Sequence, residues 1–378
     1  MSTRLIHVWA PGIRQGSGGI QAFSRDAVRA LLAAYPGARL HVHVKNDAPC
    51  EDDPLFSERV TWSSSRAFPG VLRTLHFALA GILRALLTRP RLVLSTHVNF
   101  LPAVHLLKPG ACRTAVVLHG IDAWNLRAGA KLRALRKTDA VISVSRFTRD
   151  QVAKLPGMEG SRMFVLPNTF QTGAFQPGPK PEALLERHGL NAEQPVLLTV
   201  SRLEESERYK GHQEVIECLP ELRKEFPGLR YVIAGRGGYA AELKRRVAEH
   251  GLEEAVIFAG FVPNSELADY YRLCDVFVMP SRGEGFGIVF LEAIACGKPV
   301  VAGNADGSAD AVDQGRLGVL VNPQSREELT EALRSLLSGT HSNRLLFEPA
   351  KLHEEVVAQF GPEAFRGRLK AILDEIWS

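Results

Sequence analysis

The chain has 378 residues, 45% of them hydrophobic and 23% charged, which excludes a disordered chain and suggests more than one folded domain. Its net charge of +5 is unevenly spread: residues 1–172 hold 23 Lys/Arg against 10 Asp/Glu, and the remainder holds 23 against 31. The basic half lacks the interleaved aromatic pattern of a nucleic-acid reader, so no nucleic acid is expected, and an anionic membrane surface or a phosphate-bearing acceptor fits its charge better.

The first strand is expected at residues 5–9, too short for the core of a signal peptide. Gly16-Ser-Gly-Gly19 follows it, ahead of an amphipathic helix at 21–34. This turn matches neither a dinucleotide fingerprint nor a P-loop. A second strand is expected at 40–44 and a helix at 72–87, whose apolar stripe is Leu72, Leu75, Leu79, Leu83 and Leu86. Arg66, Arg73, Arg84, Arg89 and Arg91 surround that stripe, which admits two readings, a core-facing helix or a face that docks on anionic lipid. No apolar run approaches the ~20 residues of a membrane span. Further strands are expected at 92–95, 115–119, 140–145 and 163–166, with a helix at 147–155. His119-Gly120 closes the strand at 115–119 and Asp122 follows, placing an imidazole where it can meet a ligand hydroxyl or donate toward forming charge.

The Pro- and Gly-rich residues 170–181 read as an interdomain linker. Beyond it, strands are expected at 196–200, 231–234, 256–258, 276–279, 299–302 and 318–321, alternating with helices, and the tail from Lys351 is helical in pattern. Alternation with continuous apolar strands argues for two doubly wound parallel sheets. Ligands of such sheets bind beyond the carboxyl ends of the strands. At those ends lie Ser201-Arg-Leu-Glu-Glu-Ser-Glu-Arg-Tyr-Lys-Gly211, Gly235-Arg-Gly-Gly238 and Gly260-Phe-Val262.

The most specific stretch is Ser281-Arg-Gly-Glu-Gly-Phe-Gly-Ile-Val-Phe-Leu-Glu-Ala-Ile-Ala-Cys-Gly-Lys-Pro-Val300. A strand leads into a turn containing Glu284, Gly285, Phe286 and Gly287, and a helix expected to start near Gly287 carries Ile288 and Glu292 and stops at Gly297-Lys-Pro299. A helix N-terminus suits a phosphate, the glycines permit close approach, and the two carboxylates can meet hydroxyls on either side. That combination describes a sugar-nucleotide site.

On these residues the chain resembles the retaining GT-B glycosyltransferases of family four, the group 1 glycosyltransferases, over nearly its whole length. The resemblance implies two Rossmann-like α/β domains facing a central cleft. Residues 1–172 would bind the acceptor, residues 173–354 the nucleotide-sugar donor, and a helix at about 355–378 would pack back on the first domain. It implies Glu284 on the donor sugar, Glu292 on the ribose, and Arg202 and Lys210 on the diphosphate, although Arg208 competes with Lys210 for that place. It also implies Gly18, Gly19 and Gly235 near the donor, backbone contacts to the base around Val262, and a role for His119. Two departures are visible: Pro167-Asn-Thr-Phe170 replaces a Pro-Asn-Gly turn, and Gly307-Ser-Ala-Asp310 offers Asp310 where relatives carry a Glu.

The expected activity is transfer of a hexose, with UDP-sugar favoured over GDP-mannose, to a glycan or lipid-linked hydroxyl in polysaccharide or glycolipid synthesis. A sugar-nucleotide epimerase of the same fold and a non-catalytic scaffold are the alternatives. No cofactor or metal is expected, since there is no Asp-x-Asp and no His/Cys cluster with ligand spacing. Five cysteines without paired spacing suggest reduced thiols and a cytoplasmic protein, peripheral on the inner face of the plasma membrane if the basic half docks there.

Overall fold

The computed structural model describes residues 4–14, 18–47, 58–107 and 112–377; Gly16, Ser17 and Cys50 lie outside these. The chain forms two compact units, Met1–Thr169 with Pro362–Ser378, and Phe170–Gly361.

The first unit is built on β1 (Leu5–Ala10), β2 (Arg39–Val44), β3 (Val60–Ser64), β4 (Leu92–Ser95), β5 (Arg113–Leu118), β6 (Ala140–Ser143) and β7 (Met163–Val165). They lie in the order β3-β2-β1-β4-β5-β6-β7, every neighbour parallel. The second unit uses β8 (Val196–Val200), β9 (Arg230–Ala234), β10 (Val256–Gly260), β11 (Val276–Met279), β12 (Val300–Gly303) and β13 (Val319–Val321) in the order β10-β9-β8-β11-β12-β13, again all parallel. In each sheet the order reverses beside the first strand, between β1 and β4 and between β8 and β11. That is the switch point where a doubly wound sheet opens a crevice at its carboxyl ends.

Burial on both faces explains why most strands are continuous apolar runs: β4, β6, β11 and β12 are buried throughout. The strand β3, Val-Thr-Trp-Ser-Ser at the sheet edge, is largely polar and was not expected from the sequence. The strand expected at 140–145 ends at Ser143 because Ser145 caps the next helix, Arg146–Ala153, accepting the Thr148 N–H at 3.0 Å.

Three expectations about organisation need correction. Residues 170–181 belong to the second unit: Phe170 and Phe175 are buried, the Phe175 ring lies 5.8 Å from that of Tyr271, and Lys180 pairs with Asp275 at 2.7 Å. Apolar anchors thus fix a segment whose Pro and Gly content only precludes regular structure, and the boundary falls after Thr169, not after residue 172. The segment that returns to the first unit is the helix Pro362–Trp377, whereas Pro349–Phe360 stays with the second. Gly361-Pro362 separates them, because proline disfavours helical backbone in the residue before it. The returning helix sets Phe365 against Phe23 at 5.6 Å, and the Tyr35 hydroxyl donates to Asp374 Oδ1 at 2.9 Å.

The third concerns the helix Gly70–Thr88. By length and composition it is apolar enough to cross a membrane, although Arg73 and Arg84 interrupt its apolar sequence. Only Phe77, Gly81 and Ala85 are buried in the unit. A Cβ on Gly81 would stand 2.6 Å from the Trp9 ring, so the helix lies directly on β1. The leucine stripe faces the other way, with Leu72, Leu75, Leu79, Leu83 and Leu86 all 54–60% exposed. The core-facing reading of that stripe is therefore wrong.

Candidate active site

At the ends of β8 and β11 the second unit gathers ionisable side chains. After Val200 the chain passes through Arg202 and a 3-10 segment, Glu205–Lys210, which brings Glu207 and Lys210 inward. The Glu207 side chain, 9% exposed, accepts from the Arg202 guanidinium and lies 3.0 Å from Lys210 Nζ. Lys210, 11% exposed, lies 3.4 Å from Glu284 Oε1. A buried ammonium requires a paired anion, and Glu207 provides one to both cations. The Arg202 side chain is 75% exposed and can turn to an incoming anion. Arg208, the alternative to Lys210, pairs with Glu205 and Glu242 and lies over the Tyr239 ring.

Glu284 is held by a residue the sequence reading missed. The buried carboxylate of Asp306 accepts from the Glu284 backbone N–H at 2.6 Å, the Ser281 hydroxyl at 2.8 Å and the Ser308 N–H at 2.9 Å. Asp310, the second departure seen in the sequence, accepts from Gln314 at 3.1 Å. Burial pushes the Glu284 carboxyl above its usual range, Lys210 opposes that, and the Asp306 and Glu207 charges add to it.

Gly287, at φ 88°, turns the chain into the helix Ile288–Ala295, whose first N–H groups suit a phosphate. One turn on, Glu292 accepts from the buried Tyr271 hydroxyl at 2.7 Å. Burial lifts its carboxyl to about 7, with the tyrosine hydrogen bond opposing. Phe286, expected at the donor, is 2% exposed with its ring 5.8 Å from Phe360, so its side chain belongs to the core. Gly285, Gly287 and Ile288 remain partly exposed beside it, as does Val262 after β10. Gly235 has a packing reason of its own: a Cβ there would sit 1.8 Å from the Ser201 carbonyl oxygen. The missing side chain lets β9 and the Arg202 loop approach one another.

In the first unit, Gly18 and Gly19 are exposed at the start of the helix Gly19–Ala34, while Gly16 of the same turn lies outside the described residues. The Ser24 hydroxyl of that helix donates to Thr96 at the end of β4 (2.7 Å). The Nε2–H of His119, after β5, donates to the Thr96 carbonyl at 2.9 Å, and its ring packs against Phe23. Burial lowers this imidazole to about 4, the Thr96 carbonyl opposes, and His97 adds to the lowering. A neutral ring with Nε2–H engaged leaves Nδ1 as an acceptor. The expectation that His119 donates toward forming charge is therefore revised. Asp122 is pushed up to about 6 by burial, against the favourable backbone N–H groups of His119, Asp122 and Gly120. Among the described residues no three His, Cys, Asp or Glu side chains form a group able to hold a metal ion.

Two doubly wound units with cations and carboxylates at the switch point of the second define a GT-B architecture. Residues 181–351 match the glycosyl transferases group 1 and residues 17–173 match glycosyltransferase family 4. The chain belongs to that glycosyltransferase family. It is 36% identical over 244 residues, 61% of this chain, to the GDP-mannose-dependent alpha-(1-6)-phosphatidylinositol monomannoside mannosyltransferase of Mycolicibacterium smegmatis, and the match spans 62% of that relative's length. The protein of the same name from Mycobacterium tuberculosis H37Rv is 33% identical over 276 residues, 70% of each chain. In three dimensions the chain superposes on sucrose-phosphate synthase from Thermosynechococcus elongatus with a TM-score of 0.77, at 21% identity and 99% coverage of both chains.

Proposed function

We propose that this chain is a retaining, metal-independent hexosyltransferase that moves a hexose from a nucleotide diphosphate sugar to a hydroxyl of a glycan or lipid-linked acceptor. The observation that carries the reading is the buried Glu207–Lys210–Glu284 chain with Arg202 at its rim, beside a helix N-terminus. Two cations held by an exchangeable carboxylate suit a diphosphate leaving group, whose charge they neutralise as the bond from sugar to phosphate breaks. The departing phosphate takes the proton of the acceptor hydroxyl on the same face as the new sugar–oxygen bond forms, which gives retention without a protein nucleophile. Glu284 holds the donor sugar and Glu292 the ribose.

The sequence alone favoured UDP over GDP. The relatives at 33–36% identity are named for GDP-mannose, and that moves GDP-mannose ahead of UDP-sugars as donor. Their named acceptor is a lipid-linked mannoside, which supports a lipid-linked or glycan acceptor here, taken up by the basic first unit at the cytoplasmic face of an anionic membrane. A thermal-shift screen of GDP-mannose, UDP-glucose and related sugar nucleotides tests this, since a ligand at 100 times its Kd adds ~2.7 kcal/mol. The expected result is a shift with a guanine or uracil sugar nucleotide, followed by transfer that persists in excess EDTA. No shift with any sugar nucleotide, or complete metal-reversible inhibition, would contradict the proposal.

A further inference from the structure

Residues 59–121 contain eight Lys/Arg and no Asp or Glu. The centre of this stretch is the helix Gly70–Thr88, which inverts the usual amphipathic arrangement. At about 100° per residue, Phe77, Gly81 and Ala85 fall on one side and meet the unit. Val71, Leu72, Leu75, Leu79, Leu83, Leu86 and Leu87 fill an arc on the opposite side and are 54–85% exposed. No charged residue lies within that arc. Of eleven large apolar side chains exposed among the described residues, seven are these and an eighth is Phe68, just before the helix. Such a contiguous face marks an interaction site, unlike singly scattered leucines.

The charges around it select the partner. Arg66, Arg84, Arg89 and Arg91 are exposed at the flanks and ends of the helix, and Arg73 is half-buried. The closest side-chain partner recorded for Arg73 is neutral, Asn46 at 3.4 Å. A two-fold pairing of two copies through this face would bring like arginines together, which is unfavourable. An anionic lipid surface accepts both features, leucines into the acyl boundary and guanidinium groups at the phosphates.

We propose that the exposed leucine face of Gly70–Thr88 is the membrane-insertion element of this enzyme, lying in the plane of an anionic bilayer rather than crossing it. The inference rests on the docking reading above and adds its structural element. The helix cannot span without leaving the Trp9 and His43 rings that enclose Gly81. A lipid-linked acceptor would then be met at the surface on which the first unit rests.

The full chain is sedimented with vesicles of phosphatidylcholine alone and with about 30% phosphatidylglycerol, at low and high salt. It should bind the anionic vesicles, be released by salt, and leave the neutral ones in solution. The Leu79→Glu/Leu83→Glu variant should bind at least ~10-fold more weakly with unchanged Tm and unchanged calorimetric affinity for GDP or UDP; both positions are solvent-exposed, so folding is preserved. Should that variant misfold, Leu79→Ser alone should show the same loss in smaller degree. Anionic binding that the variants retain overturns the insertion element while leaving docking intact. Failure of the parent chain to bind removes both. Carbonate-resistant binding, or a parent dimer that the variant converts to monomer, overturns the in-plane lipid assignment. Loss of nucleotide binding in the parent would count against the transferase reading alone.

Discussion

At the end of β8 the second unit buries Lys210 and Glu207 side by side, whereas after β5 the first unit encloses a histidine that it keeps uncharged. Both positions are strand ends in sheets of the same winding. The backbone therefore supplies a place, and the side chains decide its chemistry. A buried cation resting on a carboxylate can exchange that carboxylate for a phosphate without further desolvation of the cation, whose charge is already out of water. A neutral imidazole with one nitrogen engaged can only accept a hydrogen bond. The contrast extends to the surface: the second unit consumes its arginines in pairs such as Arg334 with Glu221, Glu225 and Glu331, while the first surrounds an apolar helix with arginines.

The largest test of this contrast is removal of a cation from the buried set. Arg202→Ala or Lys210→Ala should lower kcat/KM by at least ~100-fold, the scale of one lost transition-state charge donor at ~2.7–4 kcal/mol. Steady-state kinetics with the best donor measures it. A tenfold or smaller loss at both positions would place the diphosphate elsewhere and dissolve the distinction between the units.

The two carboxylates sharpen it next. Glu284→Ala should cripple transfer while GDP or UDP still binds, and Glu292→Ala should weaken the nucleotide itself. Calorimetry on both variants decides, and the opposite pattern reverses the assignment. Glu292 also gives a pH signature. Its folded carboxyl titrates at about 7 against an ordinary 4.5, so the protonated form is favoured in the folded protein. The stability this contributes is complete below about 4.5 and is lost as pH rises through 7, amounting to about 3 kcal/mol at most. Glu292→Gln should therefore raise Tm relative to the parent at pH 8 and leave it nearly equal at pH 4. Ribose hydroxyls donating to Glu292 would favour its ionised form, so nucleotide binding near neutral pH should release a proton in the parent but not in Glu292→Gln. Calorimetry in buffers of different ionisation enthalpy reads that release.

Most of the fold was legible in the sequence because strands buried on both faces must be apolar throughout. β3 was not, since an edge strand may carry Thr61, Ser63 and Ser64. Of the candidate residues read from single motifs, the structure brings Lys210 to 3.4 Å from Glu284 and seats Arg202 on Glu207. The partners that hold the two glutamates were not legible, because they come from afar: Asp306 lies 22 residues from Glu284, and Tyr271 lies 21 from Glu292. Glu207 resembles a solvated loop charge, although its spacing of three from Lys210 was a usable signal. Phe286 misled because glycines on both sides suggest a ligand loop, while its ring serves the contact with Phe360. The leucine stripe was visible as a stripe, but only the packing of Phe77, Gly81 and Ala85 shows which side of the helix faces outward.

The smallest expected effect belongs to His119. If its Nδ1 accepts a hydrogen bond from a donor-sugar hydroxyl, His119→Gln should cost only the ~3–10-fold of one neutral hydrogen bond. A general acid at this place would cost ~10²–10⁴-fold. The pH dependence separates the two more cleanly than the magnitude. An imidazole titrating at about 4 is neutral throughout the range from about 5 to 8, so His119 adds no limb to the kcat/KM profile there. The parent and His119→Gln profiles should run parallel on a logarithmic scale. A limb near 6.5 that disappears in the variant would show a protonated, donating ring. It would also require the Thr96 carbonyl to stabilise charge against the burial that lowers it. In that case the first unit, like the second, would hold a functional cation at its strand ends.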